Sequence, residues 1–188
     1  MFNIKHNIIS KKAEELGINN FPGVDRDKDP CLTYDFIINN LNLLHLNCIT
    51  PMLREFPPDD ILIKSAYRSS ILNEAITGKA NDFSSQHVRG YAIDIVSQRY
   101  SSSTLWNWCY QNLPTWYQLI WEYPERGDFT SLNEPCSWVH ISYIKNSNSK
   151  TASLSSKRTD LHEMYKTEKT INRGEYTHNI IHAYKQLI

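Results

Sequence analysis

Ser85-Gln86-His87-Val88-Arg89-Gly90-Tyr91-Ala92-Ile93-Asp94-Ile95 sets a histidine in a polar loop and, past one glycine, carries an aspartate into an apolar strand. A carboxylate buried between Ile93 and Ile95 is costly unless it is paired. Gly90 permits a tight bend between the two polar residues. His140, in Trp138-Val139-His140-Ile141-Ser142, is again a lone polar group in an apolar strand. The imidazoles of His87 and His140 and the carboxylate of Asp94 can converge on one cation, and zinc accepts that mixed nitrogen and oxygen set. A surface-loop histidine and a turn-capping aspartate would account for His87 and Asp94 alone. The third residue in a similar setting is what points to a shared metal. Cys136, close in sequence to His140, is an outside candidate as a ligand.

Working outward, Ile61 to Tyr67 predicts a strand with Arg68 at its end. Ser69 or Ser70 caps a short helix through Leu72 and Ile76 that stops at Gly78. Further upstream, Ile37, Ile38, Leu41, Leu44 and Cys48 fall at helical spacing from Tyr34, and Pro51 bends or restarts that helix. His45 lies near its apolar face and reads as a packed or solvent-edge residue. Lys11 to Leu16 is a short helix stopped by Gly17, and Asn19 to Gly23 is a turn.

Downstream, Ser101 to Thr104 offers N-caps for a helix whose apolar face is Leu105, Trp108, Cys109 and Leu113. Trp116 to Tyr123 predicts a strand with Gln118, Ile120 and Glu122 on one face, because side chains alternate. Ser137 to Ile144 predicts another, pointing Trp138, His140 and Ser142 to one side. The expected fold is α+β, a small, mainly antiparallel sheet carrying the metal site with helices packed on its other face, over residues 1–144. Residues 145–156 are almost wholly Lys, Asn, Ser, Thr and Ala and read as a polar linker. Residues 157–188 end in Ile180, Ile181, Tyr184, Leu187 and Ile188 at helical spacing, a tail expected to dock on its own domain or on a partner.

Composition narrows the function. Lys plus Arg and Asp plus Glu number 20 each in 188 residues, so no global field favours nucleic acid or an anionic membrane surface. Neither a standard export signal nor a membrane span is recognisable, and a soluble protein is expected. The cysteines Cys31, Cys48, Cys109 and Cys136 lack CxxC spacing and read as reduced packing residues. His178 and His182 have the spacing of a helical metal pair but lack a partner carboxylate. His162-Glu163 begins an HExxH pattern that Lys166 breaks.

Five motifs come in a telling order: Gly17-Ile18-Asn19-Asn20-x-Pro22; Ser65-Ala66-Tyr67-Arg68-Ser69 with Leu72-Asn73; Ser85-Gln86-His87-x-x-Gly90-x-Ala92-x-Asp94-Ile95; Gln118-Leu119-Ile120-x-Glu122; and Trp138-Val139-His140-Ile141-Ser142. Over residues 1–144 the chain thereby resembles the zinc D-Ala-D-Ala carboxypeptidase-like peptidases. It looks most like the branch common in bacteria and their phages, related in fold to the hedgehog signalling domain. The resemblance implies zinc held by His87, Asp94 and His140, with Arg68 gripping a substrate carboxylate. It implies a peptidoglycan peptide as substrate, either losing its terminal D-alanine or cut within the stem. A protein without an export signal would lie in the cytoplasm of the producing or infected cell and reach the wall by lysis from within or by delivery in a particle.

Where several relatives carry an acid three positions before the last histidine, this chain has Ser137. Glu122, on the preceding strand, is the expected substitute as catalytic base, with Glu134 as the weaker candidate. Otherwise Glu122 is a solvated strand residue and Arg68 a surface ion pair. Ser85 and Gln86 match the family pattern and either support the site through hydrogen bonds or shape the turn. The alternative function is a non-catalytic metal-binding module, such as a phage particle component, which the serine favours and the pairing of Arg68 with Glu122 opposes.

Overall fold

The computed structural model describes residues 8–57, 59–131, 135–147 and 151–155. Glu134, His162, His178, His182 and the C-terminal tail lie outside these described residues. Helix α1 (Lys11–Leu16) is capped by Ser10 and closed by Gly17 in the left-handed conformation. Helix α2 (Tyr34–Leu44) starts at Thr33, whose hydroxyl accepts from the Phe36 N–H. It continues through a π-helical turn (His45–Ile49), in which the Thr50 N–H reaches the His45 carbonyl, into a last turn, Thr50–Met52. A widened turn just before Pro51 suits a residue that cannot donate into the helical ladder. Helix α3 (Ser70–Thr77) runs from the Ser69 cap to Gly78, and α4 (Ser102–Asn112) from the Ser101 cap to Leu113.

Strands β1 (Ile61–Ser65), β2 (Ala92–Ser97), β3 (Gln118–Glu122), β4 (Trp138–Ser142) and β5 (Thr151–Ser155) form one sheet in the order β1-β2-β4-β3-β5. All pairings are antiparallel except β3 with β5. The fold is thus α+β with a mostly antiparallel sheet, as expected. Within residues 145–156, expected as a polar linker, 151–155 form the edge strand β5, running parallel to β3 with Ala152 buried opposite Leu119. Their composition is polar because an edge strand is held by backbone hydrogen bonds and needs little apolar side-chain area.

Register divides the sheet into two faces. Ile95 pairs with Val139 and Ile63, Ile141 with Ile93 and Leu119, and Trp121 with Val139. These apolar side chains meet Ile37, Leu41 and Leu44 of α2 and Leu105, Trp106 and Cys109 of α4 in one core. On α4 it is Trp106, not Trp108, that is fully buried, its indole N–H donating to the Leu119 carbonyl. Asp94, His140, Ile120, Trp138 and Glu122 fall on the opposite face. The sheet is therefore a partition between an apolar core and a polar site. No described helix is long and apolar enough to cross a membrane. The four cysteines are free thiols, Cys31 exposed and the others buried.

The loop carrying His87 is tied to α2 at Gly90. Its φ is 68°, and a Cβ there would lie 2.7 Å from the Ile37 carbonyl oxygen. The Asn40 side chain, one turn on, donates to the Arg89 carbonyl. Gly90→Ala should therefore combine left-handed strain with a backbone clash and cost roughly 2–4 kcal/mol. Gly78, also left-handed but with nothing within 4 Å of its Cβ position, is the control. Gly78→Ala should cost only about 1 kcal/mol. Urea denaturation checks both, and equal losses would show that the loop does not pack on α2 as described.

Candidate metal centre

His87, Asp94 and His140 are brought together as expected, each offering one ligand atom within 4.8 Å of the others. All three are buried, 7%, 3% and 6% exposed, so their polar atoms must satisfy one another or a shared ion. Asp94 and His140 are direct cross-strand partners on β2 and β4. His87 arrives from the loop, where Tyr91 N–H to Gln86 O and Gly90 N–H to His87 O bonds close the turn.

The tautomers follow from the outer partners. His87 Nδ1 lies 2.7 Å from the Ala66 carbonyl oxygen, which can only accept, so that nitrogen carries the proton. His140 Nε2 lies 3.2 Å from Gln86 Oε1, likewise an acceptor. The remaining nitrogens then present lone pairs to Asp94: His87 Nε2 at 3.4 Å from Oδ2 and His140 Nδ1 at 2.9 Å from Oδ1. Two lone-pair nitrogens facing a carboxylate require a cation between them, either an extra proton or a metal. Burial pushes the His87 pKa down, which works against the proton. Burial opposes ionisation of Asp94 too, but wherever the facing nitrogens carry that extra proton, the charge of His87 and the hydrogen bonds from both rings hold its carboxyl well below the usual range. Two imidazole nitrogens, each fixed by an outer acceptor, and one ionised carboxylate are a donor set that can hold a divalent metal.

Arg68 is beside this cluster. Its Nη2 donates to Asp94 Oδ2 at 2.8 Å and its Nε to Ser65 Oγ at 2.8 Å. Its backbone N–H donates to the His87 carbonyl, and Asn20 clamps the residues around it by donating to Tyr67 O and accepting from Ser69 N–H. Asn20 belongs to the first of the five motifs, yet its bond to a strand end 47 residues away could not be read from local spacing. Two of the five guanidinium N–H groups are engaged by these contacts, which leaves the fork with donors to spare.

Glu122 pairs with Trp138 across β3 and β4, on the same face as His140. Burial, then the negative charge of Asp94, pushes its pKa up to about 7, with His140, Arg68 and Arg126 pulling the other way. It is thus electrostatically part of the cluster. Ser137 is buried, and its hydroxyl has no partner among the described residues. Gln86 serves the site directly, whereas Ser85 bonds instead to the Asn73 side chain at 3.4 Å. Cys136 is not in the cluster; its thiol is 3.4 Å from the Lys64 ammonium. His45 stands apart, close to Thr50 at 3.4 Å, with burial lowering its pKa to about 4.

Comparison with known proteins gives one family match and nothing else. No curated protein and no solved structure matches the chain. The family model of Peptidase M15 matches residues 23–126, which include Arg68, His87, Asp94 and Glu122. That span is more than half of the 188 residues and carries two of the three clustered donors, while His140 follows beyond it. With a metal-competent donor set and the family's sequence in one chain, the protein belongs to the Peptidase M15 family of metallopeptidases.

Proposed function

We propose that the protein is a zinc-dependent peptidase that hydrolyses a peptide bond in bacterial peptidoglycan stem peptides, either releasing the terminal D-alanine or cutting within the stem. The observation that carries this reading is the convergence of His87 Nε2, an Asp94 oxygen and His140 Nδ1, with the other imidazole nitrogens held by Ala66 and Gln86. Such a set of three protein donors suits a catalytic zinc, which needs an open fourth position. Bound there, zinc supplies a Lewis acid that polarises the scissile carbonyl and acidifies water.

The chain's own groups do the rest. Glu122, on the sheet face shared with His140, takes a proton from the attacking water and gives it to the leaving amine. In the metal-free protein its pKa is raised to about 7, and a cation bound to the donors would draw it back towards the ordinary carboxylate range. Arg68 holds a substrate carboxylate through the donors that Ser65 and Asp94 leave available, and its planar fork orients that group. The clamp around Arg68 keeps the anchor and the His87 loop in one register. The rival reading, a metal-binding module without turnover, draws on Ser137, a buried serine where relatives place an acid.

Incubating the zinc-loaded protein with muropeptides, and following D-alanine and stem fragments by mass spectrometry, decides between them. Product is expected; none from any wall peptide, with zinc bound, rules out the enzyme. His87→Ala and His140→Ala should each abolish stoichiometric zinc binding by equilibrium dialysis with metal analysis, and full occupancy in both would show the ligands to be wrong.

Glu122→Gln should retain zinc and lose turnover by about 100-fold or more, the size of a general acid–base contribution. The same variant carries a pH signature in the metal-free protein. The folded pKa of Glu122, about 7, lies above its ordinary value of 4.5, so the unfolded chain releases this proton first. Stability is then lost as pH rises from about 4.5 to 7. Glutamine has no such loss, and Glu122→Gln should gain on the parent by up to roughly 3 kcal/mol between pH 4.5 and 8. Denaturation midpoints at the two pH values read this out; a constant difference would mean that Glu122 is not held at a raised pKa.

A further inference from the structure

Beside the metal centre a groove of about 580 Å³ runs along β1 between α1 and the sheet, with Lys64, Arg68, Asp94 and Trp138 among its lining. Its charge is one-sided. Lys11, Lys12 and Lys64 line it with Arg68, against Asp94 and Glu15, the former paired with Arg68 and the latter with Lys12 at 3.4 Å.

Lys64 is the residue the fold places on purpose in this groove. The β1–β2 register jumps between Ile63 opposite Ile95 and Ser65 opposite Asp94, leaving Lys64 as the extra residue of a bulge. Alternation would send Lys64 and Ser65 to opposite faces. A bulge re-aims side chains, and here both reach the site face: Ser65 braces Arg68, and the Lys64 ammonium lies 5.1 Å from the centre of the Trp138 ring. Trp138 adjoins Glu122 across the sheet and lies two residues before His140 on the same face, and Lys64 lines the groove with Arg68 and Asp94, so the ammonium stands at the rim of the metal centre. It is exposed, and no carboxylate among the described residues pairs with it; its contacts are the Trp138 ring and the Cys136 sulfur. An aromatic face fixes the stem and head of the lysine without neutralising its charge.

We propose that Lys64 is a specificity residue, reading a second anionic group on the peptide that lies in this groove, distinct from the carboxylate that Arg68 holds. The substrate class is an acidic peptide with an internal carboxylate on the β1 side of the scissile bond. This deepens the peptidase reading and rests on it for the word substrate, but the anion preference itself is a binding property.

The test uses the zinc-loaded full chain and two probes: an N-acetylated stem pentapeptide with its internal carboxylates free, and the same peptide with them amidated, the C-terminal carboxylate free in both. Calorimetry reads binding and mass spectrometry of the same samples reads cleavage, so the preference is taken as a ratio of Kd where no product forms and of KM where it does. The parent should favour the free-carboxylate peptide roughly three- to tenfold, the size of one partly screened ion pair, with the ratio shrinking as salt rises. Lys64→Met should bring the ratio close to one, and Lys64→Arg should restore it. Equal affinity of the parent for the two peptides, a preference surviving in Lys64→Met, or no binding of either peptide would overturn the proposal. A Lys64-dependent preference without any cleavage would uphold it and remove the peptidase reading alone.

Discussion

The carboxylate of Asp94 is buried in a strand that has no solvent-facing side, and the surrounding structure is arranged to make that tolerable. An ionised carboxylate removed from water needs hydrogen bonds and opposite charge around it. Arg68 past the end of β1 donates to it directly, and His87 on the loop before β2 and His140 on β4 hold against it the proton or metal ion that supplies the rest. None of the three is near Asp94 until the sheet has formed. A slip of one residue in the β2–β4 register would turn Asp94 into the apolar face among Ile93 and Ile95's neighbours and strip it of every partner. Fold and site therefore specify each other, since the register that buries the isoleucines is the one that assembles the donors.

Around that centre the second requirement is rigidity, and it falls to polar residues in segments without regular structure. Asn20 bonds on both sides of Arg68, Asp25 accepts from the backbone and hydroxyl of Ser70 at the start of α3, and Asp29 accepts from Arg89 in the histidine loop. The region before α2 thus acts as a strap across the site-bearing loops, although its sequence has the polar character of a lead-in. Its buried carboxylate, Asp25, is satisfied by groups 45 residues away.

This distribution of roles explains what was legible in the sequence. Features carried by short-range chemistry were readable: Gly17 and Gly78 end helices with φ of 65° and 74°, Ser69 and Ser101 cap them, and alternation on β3 put Glu122 on a face apart from Leu119 and Trp121. The donors could be paired because a lone polar group in an apolar run is a local anomaly. Features created by long-range pairing were not readable. Thr151 to Ser155 lacks an apolar pattern because only an edge of the sheet is offered to it. Trp106 takes the fully buried place on α4 with its N–H donating to the Leu119 carbonyl, a partner that helical periodicity does not reveal, while Trp108 packs partly buried against the core. Lys64 reads as an ordinary outward residue of β1 until the bulge turns it towards Trp138.

The same parity argument bears on where a proton-transferring acid can sit. In the alternation of β4, position 137 shares its phase with Val139 and Ile141, which face the core, and Ser137 is buried there. A carboxylate at that position would be a desolvated negative charge on the core side of the sheet, without a cation assigned to it. On β3, Glu122 keeps the phase of Ile120, the direct partner of His140, and has Arg126 as well as Arg68 to moderate its charge. Under the proposed function, an acid on the neighbouring strand stays on the face of the donor cluster, with its charge and that of Asp94 on separate strands. The Ser102 hydroxyl donates to the backbone carbonyl of residue 137 at 3.2 Å, a contact that does not depend on the side chain there, and the Ser137 hydroxyl has no partner among the described residues. The raised pKa of Glu122 comes from its burial first and from the charge of Asp94 second, while position 137, turned to the core side, carries no charge at all.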